Sequence, residues 1–410
     1  MRICLPELLW YGNTTMEIDL PDDWKVAICA MNGADAVPLT IAQMEAAINS
    51  PLDSPRISDL AKGKKRAVIL FDDMTRPTRT FELAPLVIKE LKAGGIADEN
   101  ITFVCALGTH GELTANEFRK KVGPELLEKY RVFNHNIYEN CVEIGTTNRG
   151  TKIMINREFA EADLKIAIGC VTAHAQVGFS GGGKIILPGV SHVDSITHYH
   201  LEVEALDRES TGMGKYPNNI LQMEIEEAGQ LSGLDFAINI MINGRGYTTH
   251  VFAGDMKKVF HEAVKLAEDH YATNPVPRNK DLVISNAFVK ANEMVIAAGL
   301  GIISLKNLTG TVVVIANSPE GQVVHKLLGR WGTEYGGRQY PITTVPPSVN
   351  LIIMAQHLDR TFGDWFSDPE VITWTKNWDQ TMELLRKNFG AGTETAVIPN
   401  ATMQYFKQPG

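Results

Sequence analysis

Apolar positions fall into short unbroken runs, separated by longer stretches of helical period. After Lys62 the runs are 66–71 (RAVILF), 101–107 (ITFVCAL) and 164–171 (LKIAIGCV). Runs of that length, rich in β-branched and aromatic residues, are expected of strands covered on both faces. Between the first two, Thr80 can cap a helix over 81–93 that stops at Gly94-Gly95. Thr114-Ala115-Asn116-Glu117 is a capping box that opens the next helix. This alternation predicts an α/β fold built on a doubly wound, mostly parallel sheet. Residues 1–30 read differently. ICLPELLWYG, TTMEIDLP and KVAICAM are short alternating segments and predict an antiparallel hairpin at the head of the same domain.

The helical pattern over 255–272 runs into TNPVPRNK, a Pro-rich polar link. The alternation then restarts with DLVISNAF, a helix around 291–304, TGTVVVIAN, a helix from Pro319, NLIIMAQ and a helix around 379–389. Two α/β domains are therefore expected, over 1–272 and 273–410, with an active-site cleft between them.

Composition narrows the function. With 44% apolar and 21% charged residues in 410, the chain reads as globular rather than disordered. A net charge of -9 argues against nucleic acid as a partner, because phosphate neutralisation needs clustered Lys and Arg. No run of about eighteen apolar residues predicts a membrane span. The N-terminus lacks the apolar core of a secretory signal. Five scattered cysteines without a CxxC read as free thiols of a cytoplasmic protein.

The candidate chemistry sits just after the three predicted strands. The first runs into Asp72-Asp73-Met74-Thr75-Arg76-Pro77-Thr78, the second into Gly108-Thr109-His110-Gly111, and the third into Thr172-Ala173-His174 and a glycine-rich loop ending in Lys184. Carboxyl ends of strands in open α/β sheets form the ligand crevice, so Asp73, Arg76, His110, His174 and Lys184 should converge. Taken singly, Asp73 could be a helix cap, Arg76 a surface ion pair and either histidine structural. Two histidines on separate strands beside a glycine-rich loop favour a catalytic pair, since imidazole exchanges acid and base roles near neutral pH.

Gly178-x-x-x-x-Gly183-Lys184 matches most of a phosphate-binding P-loop, with the backbone at Ser180, Gly181 and Gly182 as the phosphate cradle. Ile185 stands where magnesium binding needs Ser or Thr, which weakens an ATPase or kinase reading without removing it. The cluster His192, His198 and His200 offers one or two metal ligands, and spacing alone does not choose the metal.

Taken together, DDMTRPT, LGTHGELTANE, TAHAQVGFSGGGKIILPGVS and ITHYH resemble the nickel-pincer lactate racemase family. The resemblance runs in order through most of the first 270 residues, from WYGNTTMEIDLP to FAGDMKKVFHEA, and more weakly through TGTVVVIANSPEGQ. It implies an isomerase that racemises or epimerises a small 2-hydroxy acid by reversible hydride transfer. The implied cofactor is a pyridinium-3-thioamide-5-thiocarboxylate mononucleotide clamping nickel, joined through a thioamide to a lysine, at whose place Lys184 stands. His200 matches the protein ligand to nickel, His110 and His174 the paired acid/base histidines, Arg76 a substrate-carboxylate contact and Asp73 an orienting residue at the cofactor. Partner enzymes would build the cofactor and insert nickel. Residues 1–272 would bind the cofactor and carry catalysis, and 273–410 would close over the substrate.

Lactate racemases of this family hold substrate with a Gln and a Lys three residues apart on the first helix of the C-terminal domain. Here those places fall on Ile296 and Gly299. The expected substrate is therefore a 2-hydroxy acid larger than lactate, with Lys290, Asn292 and Trp365 as candidate contacts; lactate itself is the alternative.

Overall fold

The computed structural model describes residues 1–330, 332–333 and 342–407. The chain forms two compact units. The first comprises Ala36–Asn243 and Tyr247–Asp269. Its six-stranded sheet runs, edge to edge, Thr248–Gly254, Phe236–Ile242, Leu164–Cys170, Ala67–Asp72, Ile101–Ala106 and Arg131–Asn134. Only the pair Phe236–Ile242 and Thr248–Gly254 is antiparallel. The chain winds outward from Ala67–Asp72 to Arg131–Asn134, then returns to the centre at Leu164–Cys170 and winds the other way. The order thus reverses between Ala67–Asp72 and Leu164–Cys170, and the crevice beyond their carboxyl ends is the switch point where such sheets bind ligands. Residues 67–71 are all 0% exposed, which explains their unbroken apolar run.

The capping box forms as expected. The Thr114 side chain accepts from the Glu117 amide and the Glu117 side chain from the Thr114 amide. Thr80 does not act as a cap. It is the first residue of the helix Thr80–Ala93 and fully buried, and Arg79 precedes it without a capping hydrogen bond.

The second unit gathers Met1–Asp35, Gly244–Gly246 and His270–Gly410. Its six strands are all parallel, in the order Thr373–Thr375, Val349–Met354, Gly310–Ile315, Leu282–Asn286, Glu394–Ile398 and Lys25–Ile28. The boundary expected near residue 272 is therefore incomplete, because the first 35 residues fold with the C-terminal half. The hairpin of Arg2–Glu7 and Thr14–Asp19 is antiparallel as expected, but Ile3, Leu5, Ile18, Leu20 and Trp24 bury against Leu282, Ile284, Val313 and Val397. Lys25–Ile28 then adds a strand beside Glu394–Ile398.

The helix expected from Pro319 is also absent over 319–328. A tight turn stands there instead: the Gly321 amide donates to Ser318 O at 3.0 Å and the Ser318 hydroxyl to Gly321 O at 2.7 Å. Gly321 has φ +76, and a Cβ there would lie 2.6 Å from Asp359 Oδ2. All five cysteines are free. Burial pushes the Cys29 and Cys170 thiols up to about 11, so both stay unreactive thiols. No helix among the described residues is long and apolar enough to cross a membrane.

Candidate active site

The loop after Ala67–Asp72 is organised around Asp73, which is 3% exposed. Its Oδ1 accepts from the Thr75 amide at 2.8 Å and the Thr75 hydroxyl at 2.5 Å, closing a turn. Its Oδ2 lies 2.6 Å from His110 Nδ1, across from the loop after Ile101–Ala106. Burial alone would raise the Asp73 carboxyl; His110, Arg76 and Thr75 reverse this and hold it well below the usual carboxylate range. Arg76 folds back on the same turn, its Nη1 donating to Thr75 Oγ1 at 2.9 Å and Thr75 O at 3.0 Å.

A residue that sequence reasoning missed holds this loop. Lys121 is wholly buried, donating from Nζ to Asp73 O at 2.8 Å and Arg76 O at 2.7 Å, with Asp72 Oδ1 at 2.7 Å. It lies in the last turn of the helix opened by the capping box, in a run of Arg119-Lys120-Lys121 that reads as a solvated face. The available signal was helical phase: Lys121 shares a face with Phe118 and follows it by three.

His174 comes from a two-strand ribbon, Ala173–His174 against Gly178–Phe179. Its Nδ1 accepts from the Gln176 amide at 3.2 Å and the Val177 amide at 3.4 Å. The turn needs glycine at 178, where φ is +78 and a Cβ would lie 2.1 Å from Lys215 O. The following loop leads into a short 3-10 turn, Gly182–Ile185, that carries Lys184. Three of its amides serve the protein itself. Ser180 N donates to Thr172 O, Gly182 N to Asn239 Oδ1 and Lys184 N to Gly181 O. A P-loop instead aims free amides and a long helix at phosphate. The Ser180, Gly181 and Gly182 cradle is accordingly not built as a P-loop, and Gly181 owes its glycine to close packing: a Cβ there would lie 2.7 Å from Val171 Cγ2.

The histidine cluster divides by role. His192 caps Val193–His198 by accepting from the Asp194 amide. His198 Nδ1 pairs with Thr151 Oγ1 at 2.9 Å. His200 lies on a π-helical turn, Tyr199–Val203, an irregularity that re-aims side chains and recurs at functional sites. Burial and the Lys184 ammonium push the His200 imidazole down to about 3, which keeps it neutral.

Lys290, Asn292 and Trp365 belong to the second unit. Lys290 is 1% exposed, in the segment that follows Leu282–Asn286, and its amide donates to Thr402 Oγ1. Asn292 O accepts from Val323 N. Trp365 is 6% exposed within that unit's core, edge-on to His325.

Residues 11–212 match the family described as lactate racemase N-terminal domain. The chain is 30% identical over 281 residues to a lactate racemase of Thermoanaerobacterium thermosaccharolyticum, a match covering 67% of this chain and 65% of that protein. It is 24% identical over 379 residues to a lactate racemase of Lactiplantibacillus plantarum, covering 87% and 88%. The match to the first of these relatives thus spans just under two thirds of its length. In fold, the chain resembles the lactate racemase apoprotein of T. thermosaccharolyticum over 100% of both chains, with a TM-score of 0.76 and 23% identity. A Thermotoga maritima protein resembles 90% of the chain with a TM-score of 0.65 and 16% identity.

Proposed function

Because the chain belongs to the lactate racemase family, we propose that it is an isomerase that inverts the α-carbon of a 2-hydroxy acid with the help of a nickel-pincer nucleotide tethered to Lys184. The observation that carries this reading is local to the first unit. An Asp73–His110 pair, His174, and a loop ending in Lys184 with His200 within its electrostatic reach all follow strands at or beside the switch point.

The residues fit the tethered group. His200 is kept neutral, so it retains a lone pair for a metal. Turning the Lys184 amine into a thioamide removes the ammonium charge beside it. No three His, Cys, Asp or Glu side chains among the described residues form a metal-ligating group. A nickel ion at His200 would therefore take its remaining donors from the bound nucleotide. When bound, that nucleotide supplies a reversible acceptor for the α-hydrogen as hydride.

The chain's own residues do the rest. Arg76, fixed through its backbone by Lys121, binds the substrate carboxylate with its planar fork of donors. His110 and His174 manage the hydroxyl proton, and Asp73 holds the His110 ring in place. A substrate larger than lactate is supported by the helix Val295–Ser304, where Ile296 and Gly299 offer a carboxylate no partner. Lys290, Asn292 and Trp365 complete this reading as substrate contacts. Enzymes that assemble the cofactor and insert nickel are its partners. The ATPase or kinase reading is weakened because the amides of Ser180, Gly182 and Lys184 already donate within the protein and Ile185 replaces the magnesium-binding Ser or Thr.

The test is production beside the cofactor-building enzymes, then chiral analysis of a panel of 2-hydroxy acids incubated with the purified protein. Inversion of any member that depends on Lys184 supports the proposal. No inversion by protein that carries nickel and the adduct overturns it.

A further inference from the structure

The ribbon turn that carries His174 is gripped by one neighbour, the segment 204–219. Gln176 Nε2 donates to Glu204 Oε2 at 3.3 Å, Gly212 N to Gln176 O at 2.8 Å and Gly214 N to Gly178 O at 3.1 Å. The segment begins where the π-turn of His200 ends and finishes at Asn219, the N-cap of the helix Ile220–Leu231. That helix lies against the turn of Lys184, where a Cβ on Gly183 would stand 2.6 Å from Ile225 O. Asn219 is 0% exposed and uses both ends of its side-chain amide. Its Oδ1 accepts from the Leu221 and Gln222 amides at 3.0 and 3.2 Å. Its Nδ2 donates to Gln176 O at 2.8 Å. Capping needs only an oxygen, which Ser or Asp supplies about as well as Asn. The nitrogen is not needed for the cap and goes to the ribbon.

That bond is one peptide away from the His174 ring. Gln176 O and the Val177 N–H belong to the same planar trans peptide and point in opposite directions. The Val177 N–H donates to His174 Nδ1 at 3.4 Å. Holding the carbonyl therefore aims the amide, and a donor on the oxygen strengthens the amide in turn. Two donors from different places, Asn219 Nδ2 and Gly212 N, fix the plane of this peptide; Gly212 alone would leave it free to tilt. We propose that Asn219 is the positioning residue of His174, acting through this one peptide as Asp73 acts directly on His110. The proposal rests on the racemase reading, in which His174 is one of the paired acid/base groups. Such a group must stand within hydrogen-bond reach of the proton it moves, so a ring left free to swing loses turnover without losing substrate. The cap is a separate pair of bonds, so the helix against the Lys184 turn does not depend on Nδ2.

Asn219→Ser and Asn219→Asp test this, since both keep a capping oxygen and neither has Nδ2. Should one fold poorly, the other decides. In the apoprotein, the ring signals of labelled histidine would be read by nuclear magnetic resonance at one fixed pH and assigned by their loss in His110→Gln and His174→Gln. The His174 signals should move in both variants while those of His110 stay. In protein made beside the cofactor-building enzymes, the Lys184 adduct and nickel should be retained. There kcat should fall by roughly 10–10²-fold, the cost of a misplaced group, with KM little changed. A residue that only capped the helix would move neither the ring signals nor kcat in these variants. Wild-type His174 signals in the variants, or wild-type kcat in a loaded one, overturns the proposal. Shifts of the His110 signals as large as those of His174 also overturn it, since they mark a general loosening. The ring signals need neither cofactor nor substrate, so failure here is separate from failure to find inversion of any hydroxy acid.

Discussion

His110 and Asp73 meet through a 2.6 Å contact between Nδ1 and Oδ2, although one follows the strand Ile101–Ala106 and the other opens the turn after Ala67–Asp72. The two strands are parallel neighbours, and Phe71 pairs with Cys105 and Asp72 with Ala106. Register therefore brings the two loops level, and the short polar turn at Asp73 closes the remaining gap.

Asp73→Asn should weaken the fold in a pH-dependent way. The folded carboxyl lies below its ordinary value of about 3.9, so its stabilisation is present above that pH and fades as pH falls below it. Urea midpoints should show the variant less stable at pH 7 and the gap narrowing below about pH 4. A gap of constant size would show that the carboxylate charge does not stabilise this loop. In the loaded enzyme, His110→Gln should cost ~10²–10⁴-fold in kcat, the usual range for a general base.

Lys121→Met should leave Asp72 without its buried cation and release the carbonyls of Asp73 and Arg76. Breaking such a pair from one side costs about 3–5 kcal/mol. Adding Asp72→Asn should recover part of the stability, since no uncompensated charge remains. Activity should not return, because nothing restores the hold on the Arg76 carbonyl. Recovery of both stability and turnover in the double variant would show that Lys121 serves only to neutralise Asp72.

Much of this site was legible in order but not in contact. The three strands were visible because burial on both faces demands unbroken apolar runs, and the residues just past them followed from the geometry of open sheets. Lys121 was hidden because a lysine in a run of basic residues reads as solvated, and only the loop packed on it makes it a buried cation. The role of residues 1–35 was hidden for another reason. Lys25–Ile28 pairs with a strand from the other end of the chain, and nothing local in KVAI specifies so distant a partner. His198 and His200 could not be told apart by spacing, since the π-turn that separates their roles is not signalled by composition.

Lys184 should carry a nucleotide-sized mass increase when the protein is made beside the cofactor-building enzymes. Lys184→Ala and Lys184→Arg should carry none, the latter because a guanidinium cannot replace the amine in a thioamide. Peptide mapping decides it, and an adduct on another lysine would overturn the assignment. His200→Ala should keep the adduct but lose nickel, which metal analysis of the same sample would read.

Substrate size is the prediction with the most direct consequence for what the enzyme does. Ile296 and Gly299 lie on the helix Val295–Ser304, and neither can bind a carboxylate. Gly299 is exposed and a Cβ added there would meet nothing within 4 Å, so a side chain can be placed at this position without a clash. This helix therefore adds no second grip on a small acid beside Arg76. A site shaped for a bulkier group gives a truncated substrate less binding energy, and the deficit falls on kcat as well as KM when remote contacts help to orient the reacting carbon. The expected order of kcat/KM places 2-hydroxy acids with longer apolar, aromatic or polyhydroxylated tails above lactate. Replacing Ile296 by Gln together with Gly299 by Lys should move the preference toward lactate. The measurement is chiral analysis of each acid with wild type and double variant, and lactate outranking every larger acid in the wild type would overturn this reading of the helix.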